Sequence, residues 1–124
     1  MVRSAVRTQT CSIAEARTRL EHARKFLEVA TLVAHETGDT GDLEYASVSA
    51  TLAVMSGIAA SDAACCKALG RRARGQDHRE AETLLAAIEP GGRQAAGSLQ
   101  RLLGLKDEAQ YGFYDVGSQQ LRTA

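Results

Sequence analysis

The chain has 124 residues, with 15 Lys and Arg against 15 Asp and Glu, so its formal net charge at pH 7 is zero. This length accommodates one domain, and the charge balance excludes a uniformly basic nucleic-acid-binding domain. Because 22 residues are Ala, 13 are Leu and only 4% are aromatic, the composition favours helices over a sheet.

The N-terminal part of the chain predicts a short lead-in and then a long helix. Residues 1 to 11 show no hydrophobic periodicity, so we expect a flexible segment before a single domain over residues 12 to 124. Ser12 and Glu15 form a capping-box pattern, in which each side chain satisfies a backbone N–H group of the other. Apolar residues then recur at alternating steps of three and four, which is typical of a bundle helix, as far as Gly38.

A second helix is predicted from about Leu43 to Leu69, after a loop rich in Gly and Asp. One face of this helix is almost all Ala or Gly, so a neighbouring helix can approach it closely. The sequence leaves open whether that neighbour belongs to the same chain or to a second copy. Gly70 suits the position after the helix, where a left-handed backbone conformation closes the C-terminus.

Two shorter helices follow a basic connector. The third begins at a capping-box-like pair, Asp77 and Glu80, and ends at the turn that starts with Pro90. The fourth carries apolar residues between positions 95 and 109, and one extra helical turn is expected over residues 118 to 124. Four helices with short connectors predict an all-α fold, an antiparallel up-and-down four-helix bundle.

The cysteine pattern predicts a protein of the reducing cytoplasm, because three is an odd number and no signal-peptide pattern is present. Cys65 and Cys66 are adjacent in an apolar helix, so we expect buried thiols, and we expect Cys11 to be exposed. No Cys or His has zinc-ligand spacing, and no run of about 18 apolar residues suggests a membrane span. We therefore predict no metal, no cofactor and no membrane association.

Positive charge is concentrated where the second helix ends and the third begins. Within thirteen residues around His78, the chain carries Lys67, Arg71, Arg72, Arg74 and Arg79. Free backbone N–H groups at the start of the third helix add to the attraction for phosphate. A histidine can transfer a proton near neutral pH, and an arginine can hold a phosphate through two oxygens. In principle such a pair suffices for metal-free RNA cleavage.

Three stretches resemble bacterial HEPN domains (higher eukaryotes and prokaryotes nucleotide-binding): ASDAACC at 60 to 66, LGRRARGQDH at 69 to 78 and LLGLKDEAQY at 102 to 111. The resemblance covers about residues 12 to 114. It implies an all-helical, usually dimeric domain, which in many members is a metal-independent endoribonuclease, often a toxin or defence protein.

The family motif is an Arg followed, after four to six residues, by a His. In this chain the motif falls on Arg72 and His78, with Arg71 as the second choice for the Arg. The resemblance then implies that His78 transfers a proton and Arg72 stabilises the phosphate in a cleft between two protomers. The remaining predicted site residues are the RNA-binding Arg71, Arg74, Arg79 and Lys67, and the supporting Ser61, Asp62 and Asp77.

Ser61 and Asp62 have two interpretations, because both lie among Ala in the second helix. In one, Asp62 orients Arg72 or His78 across the helix junction. In the other, the Ser61 hydroxyl bonds the carbonyl four residues earlier, while Asp62 faces solvent or pairs with an Arg of the first helix.

The function itself has alternatives, and the sequence leaves open whether the protein is an enzyme. Ala73 follows Arg72 where the family often has a polar residue, which favours a catalytically silent HEPN-like module that binds a nucleotide or a protein. A purely structural four-helix dimer is the third possibility. The predicted partners are RNA or a nucleotide, a second copy of the chain and an antitoxin-type protein.

Overall fold

The computed structural model describes residues 7 to 40, 43 to 75 and 78 to 111, and this part of the chain is mostly helical. In chain order the elements are β1 (Thr8–Thr10), α1 (Ile13–Thr40), α2 (Leu43–Leu69), β2 (Arg71–Ala73), α3 (His78–Ala86) and α4 (Gly92–Tyr111). The predicted boundaries of the second helix are confirmed, and the first helix continues two residues beyond Gly38. The extra turn expected over residues 118 to 124 lies outside the described residues.

Helix α1 begins at the predicted capping box. The Glu15 N–H donates to Ser12 Oγ at 3.1 Å, and the Ser12 N–H donates to Glu15 Oε1 at 3.3 Å. Both backbone N–H groups would otherwise lack a partner at the start of a helix, so this pair fixes the first residue of α1.

Helices α1 and α2 form a hairpin that is held by two buried serines. Ser49 Oγ donates to the Ala30 carbonyl at 2.6 Å, and Ser56 Oγ donates to the Ala23 carbonyl at 2.8 Å. The Ala residues of α1 let the two backbones come close enough for these short hydroxyl groups to reach across. The serines therefore join the two helices at two buried points.

The opposite side of α2 packs against α3 and α4. The buried core there consists of Cys65, Ala81, Leu84, Leu85 and Leu99. At Gly57 a Cβ atom would lie 2.5 Å from Leu102 Cδ1, so the missing side chain makes room for α4. The small-residue face of α2 is thus occupied, at this position, by a helix of the same chain.

The described helices do not close into the predicted up-and-down bundle. Helix α1 packs along α2, whereas α3 and α4 pack against the other side of α2 and against each other. Among the described elements α1 has no second helical neighbour of comparable extent. Large apolar side chains of the hairpin are exposed in this part of the chain, among them Ile13, Leu20 and Leu27 of α1 and Val48 and Met55 of α2.

A two-stranded antiparallel ribbon accompanies the helices, so the protein is mostly helical, as predicted, with a small sheet that the sequence did not predict and that includes part of the expected lead-in. Strand β1 pairs with β2 in the register Thr8 with Ala73 and Thr10 with Arg71. The Cys11 N–H continues the contact by donating to the Gly70 carbonyl at 3.0 Å. Residues 7 to 11 are therefore part of the fold, while residues 1 to 6 lie outside the described part of the chain. Gly70 has the predicted left-handed conformation, with φ of 70°.

A disulfide joins Cys11 to Cys66, across 55 residues of sequence and a Cα–Cα distance of 5.4 Å. The prediction of an exposed Cys11 and a Cys66 thiol was therefore wrong, because the ribbon brings the N-terminal segment onto the end of α2. Cys65 is a buried free thiol, as predicted. Of the three cysteines, two therefore form a disulfide and one remains a free thiol.

Helix α2, over residues 44 to 69, is long and apolar enough to cross a membrane by length and composition, and 44% of the tested stretch is buried within the protein. The sequence predicted no membrane-spanning stretch, because Ser and Thr residues interrupt the apolar run. The average hydropathy of α2 nevertheless stays within the range of membrane-spanning helices. A core helix of a soluble protein meets the same criterion, and α2 has the position of a core helix between α1 and α4.

Candidate nucleic-acid interface

The ribbon and the adjoining helix ends gather positive charge at one end of the protein. Strand β2 supplies Arg71 and Arg72, Lys67 lies in the last turn of α2, and Arg79 lies in the first turn of α3. The Arg74 N–H donates to the Arg7 carbonyl at 2.9 Å, so Arg7, the residue before β1, adds a sixth cation to this end. We call these six residues the basic end: Arg7, Lys67, Arg71, Arg72, Arg74 and Arg79.

Three members of the basic end are exposed and have no acidic partner among the described residues: Lys67, Arg71 and Arg74. Arg7 differs, because its guanidinium lies 3.6 Å from Glu80 and its N–H donates to the same carboxylate at 3.2 Å. Glu80 of α3 thus balances the charge of Arg7, whereas the side chains of Lys67, Arg71 and Arg74 are exposed to solvent.

Neighbouring side chains of a strand point to opposite faces, and this separates the two arginines of β2. Ala73 packs against the core formed with α3 and α4, and Arg71 shares that strand face. Arg72 points the other way, and the Gln9 amide oxygen lies 3.5 Å from its guanidinium. Arg72 also lines a surface hollow of about 570 Å³ together with Ala14, Glu15, Thr18, Arg19, Asp62 and Cys66.

Asp62 forms an ion pair with Arg19 of α1 at 3.0 Å, and its side chain is only 13% exposed. Of the two interpretations of Asp62, the structure therefore has the one in which Asp62 pairs with an Arg of the first helix. Asp62 also lines the hollow that contains Arg72, so its carboxylate contributes negative charge beside that guanidinium. The alternative in which Ser61 bonds the carbonyl four residues earlier is not observed, because among the described residues this buried hydroxyl makes no hydrogen bond to a backbone carbonyl.

His78 is the first residue of α3 and is half-buried. It does not line the hollow that contains Arg72, so the two residues of the predicted motif do not share that hollow within one protomer. Asp77, predicted to support the site and to cap α3, lies outside the described residues. The predicted Arg and His are therefore both near the junction of α2 and α3, and only the Arg lines this hollow.

Cys65 is the titratable group of this region whose pKa is shifted most clearly by its environment. Burial raises the pKa of the Cys65 thiol above its ordinary value, the Asp62 carboxylate raises this pKa further, and the Ser61 side chain lowers it in part. A thiol of raised pKa stays protonated at neutral pH and is a poor nucleophile. Cys65 therefore belongs to the core rather than to the reactive surface.

Two residues of this region were missed by sequence reasoning. Arg7 gave no signal, because its role depends on a strand pairing between positions far apart in the chain. Arg19 lay in a helix with many charged residues, where a partner 43 residues away cannot be read from spacing. Among the described residues, no group of three or more His, Cys, Asp or Glu is placed to hold a metal ion.

Comparison of the chain with protein-family models, with curated proteins and with solved structures finds no match. The case for a function consequently depends on the residues and geometry of this protein.

Proposed function

We propose that this protein is a HEPN-type helical module that binds RNA through phosphates at the basic end. The observation that carries the proposal is the set of three exposed cations without acidic partners among the described residues, Lys67, Arg71 and Arg74, in a chain whose net charge is zero. A neutral protein with one cationic end attracts a polyanion to that end and offers little attraction elsewhere.

The size of the cationic set limits the binding. Three phosphate contacts to a single strand give an affinity that falls about 100-fold for each tenfold rise in salt concentration. We therefore expect short single-stranded RNA to bind at low salt, and we expect weak binding along long nucleic acid.

A charge-matched pair of variants tests the RNA proposal. R71Q/R74Q removes two cations from the basic end, and R93Q/R101Q removes two exposed cations from α4. We expect the first double variant to weaken binding of a short single-stranded RNA about tenfold at low salt, measured by fluorescence anisotropy, and to reduce the salt dependence. Equal losses in the two variants would show that only total charge matters and would contradict the proposal.

RNA cleavage is the finer part of the proposal and comes from the resemblance. His78 would transfer the proton and Arg72 would stabilise the phosphate, in a cleft to which two protomers contribute. This division between protomers is consistent with the hollow beside Arg72, whose lining does not include His78 of the same chain.

We expect His78→Ala and Arg72→Ala each to abolish cleavage of RNA in the presence of a metal chelator while leaving the circular dichroism spectrum unchanged. Cleavage that survives both substitutions would contradict this mechanism. Binding without cleavage by the unaltered protein would favour the catalytically silent module, to which the contact between Arg72 and Gln9 already gives support.

The assembly proposed with this function is a homodimer. Ile13, Leu20 and Leu27 recur every seven residues on α1 and are between 39% and 55% exposed. Such a stripe is complementary to a second copy of itself, and two hairpins packed along it would form a four-helix bundle between protomers, which differs from the predicted bundle of four helices in one chain. An antitoxin-type partner and a cytoplasmic location remain proposals, which co-purification and cell fractionation would test.

A further inference from the structure

Strand β1 is held to the protein by few contacts. It is three residues long and pairs with the equally short β2. A two-stranded ribbon of this size is marginal in water without further support. Among the described residues, the additional contacts are two backbone hydrogen bonds, from Cys11 to Gly70 and from Arg74 to Arg7, the side-chain contacts of Arg7 with Glu80 and of Gln9 with Arg72, and the covalent bond from Cys11 to Cys66.

The two adjacent cysteines of α2 lie in different surroundings. Cys65 packs in the core beside Leu84, Leu85 and Leu99 of α3 and α4. Cys66 is bonded to Cys11 and lines the hollow beside Arg19 and Arg72. The disulfide therefore lies at the surface hollow, and the remaining thiol is kept apart from it in the core.

We propose that the Cys11–Cys66 disulfide is a redox-operated latch that holds β1, and with it Arg7 and Gln9, in place at the basic end. The co-reactant is a small-molecule thiol of the glutathione class. The latch is closed when the disulfide is formed and open when both cysteines are reduced.

The reduction proceeds by thiol–disulfide exchange and uses two thiol molecules. A thiolate attacks the sulfur of Cys11, the more exposed partner, forms a mixed disulfide there and releases Cys66 as a thiolate. A second thiolate then attacks the small-molecule sulfur of the mixed disulfide and releases Cys11. Protonation leaves two cysteine thiols and one small-molecule disulfide, so two electrons pass to the protein.

The charges of the hollow favour this direction of attack. The Cys66 thiolate is released where Arg19 and Arg72 line the hollow, and nearby positive charge stabilises a leaving thiolate. Asp62 already pairs with Arg19, so Arg72 is the cation that we assign to this effect.

Opening of the latch would alter the basic end, and this consequence rests on the proposed function. With β1 released, Arg72 loses its contact with Gln9, and Arg7 moves away from Glu80. RNA affinity is therefore expected to differ between the oxidised and reduced protein.

Hydrogen exchange of the full chain tests the latch without reference to RNA. We expect the amides of residues 8 to 11 to exchange at least tenfold faster after reduction, while those in the core of α2 keep their rates. Cys11→Ser should exchange at the fast rate without reductant, and Cys65→Ser, the matched control, should respond to reductant like the unaltered protein. Equal exchange of β1 in the oxidised and reduced protein would overturn the proposal, as would three free thiols after treatment with oxidised glutathione.

The assigned cation has its own test. Arg72→Gln should slow reduction by glutathione severalfold, whereas Arg17→Gln, on α1 outside the hollow, should leave the rate unchanged. Equal rates in the two variants would remove Arg72 from the proposal.

The RNA measurements keep the two proposals distinguishable. If neither the oxidised nor the reduced protein binds RNA, the proposed function fails, and the exchange of β1 still decides whether the latch exists. If β1 is released but RNA affinity does not change, the regulatory role is overturned.

Discussion

Single residues of α2 decide how this helix contacts its neighbours. Ser49 and Ser56 interrupt the apolar run of the sequence, are seven residues apart in an Ala-rich helix, and both donate to α1. Ser61, which was singled out as a site residue, is buried and makes no hydrogen bond to a backbone carbonyl among the described residues. Spacing identifies which serines share a face, but only the approach of a second backbone decides which of them finds an acceptor.

The buried Cys65 thiol gives stability a dependence on alkaline pH. Because its pKa is raised in the folded protein, the unfolded chain loses this proton first as the pH rises above the ordinary value of 9.0. The contribution is therefore fully present below pH 9.0 and is lost as the pH rises through the folded-state pKa.

We expect the free energy of unfolding to fall above pH 9.0 by up to about 1.4 kcal/mol per pH unit from this group. Urea unfolding of the oxidised protein at several pH values measures this slope. Cys65→Ala should be less stable throughout and should lack the additional slope. Parallel curves for the two proteins would contradict the assignment.

At the scale of elements, the helices were predictable and the ribbon was not. The capping box at Ser12 and the glycine at position 70 mark the ends of α1 and α2 through local backbone chemistry, which a sequence displays directly. Strands β1 and β2 are three residues each, have no alternating pattern and are separated by two long helices. Their pairing joins residues far apart in the sequence, and β1 lies in the segment that the sequence predicted as a flexible lead-in.

The contact between α2 and α4 depends on one helical glycine. Gly57 and Gly104 both lie inside helices, where Ala is favoured over Gly by about 1 kcal/mol. At Gly104 an added Cβ meets nothing within 4 Å, whereas at Gly57 it lies 2.5 Å from Leu102.

We therefore expect Gly104→Ala to raise the free energy of unfolding by about 1 kcal/mol. Gly57→Ala should be less stable than this variant by about 1–3 kcal/mol, because Leu102 must move to admit the methyl group. Thermal or urea unfolding of the two variants gives the difference, and equal stabilities would show that α4 does not depend on the gap at Gly57.

At the scale of the whole molecule, the predicted charge concentration is present, and its chemistry is only partly arranged as expected. Five of the six cations of the basic end belong to the charge concentration predicted from the sequence, and Arg7 is the addition that the structure makes. The alternation of β2 sends Arg71 and Arg72 to opposite faces, a consequence of strand geometry that a connector without predicted structure could not reveal.

The exposed stripe of α1 gives a test of the proposed assembly. We expect Leu20→Glu to shift the protein from dimer to monomer in light scattering coupled to size-exclusion chromatography, because a buried charge at the centre of the stripe is costly. Leu32→Glu is the matched control, since Leu32 is 63% exposed and lies on another face of α1. A monomeric unaltered protein, or equal effects of the two variants, would contradict this dimer.

The serine contacts of the hairpin repeat with the same period as the residues that receive them. Ala16, Ala23 and Ala30 are all buried on α1 and are seven residues apart, as Ser49 and Ser56 are on α2. A slide of α2 by about 10 Å, two helical turns, would offer Ser49 the Ala23 carbonyl and Ser56 that of Ala16. The serine–carbonyl hydrogen bonds alone thus permit more than one alignment of α1 and α2, at intervals of seven residues. Only two residues separate α1 from α2, so the length of this connection selects the alignment that the protein adopts.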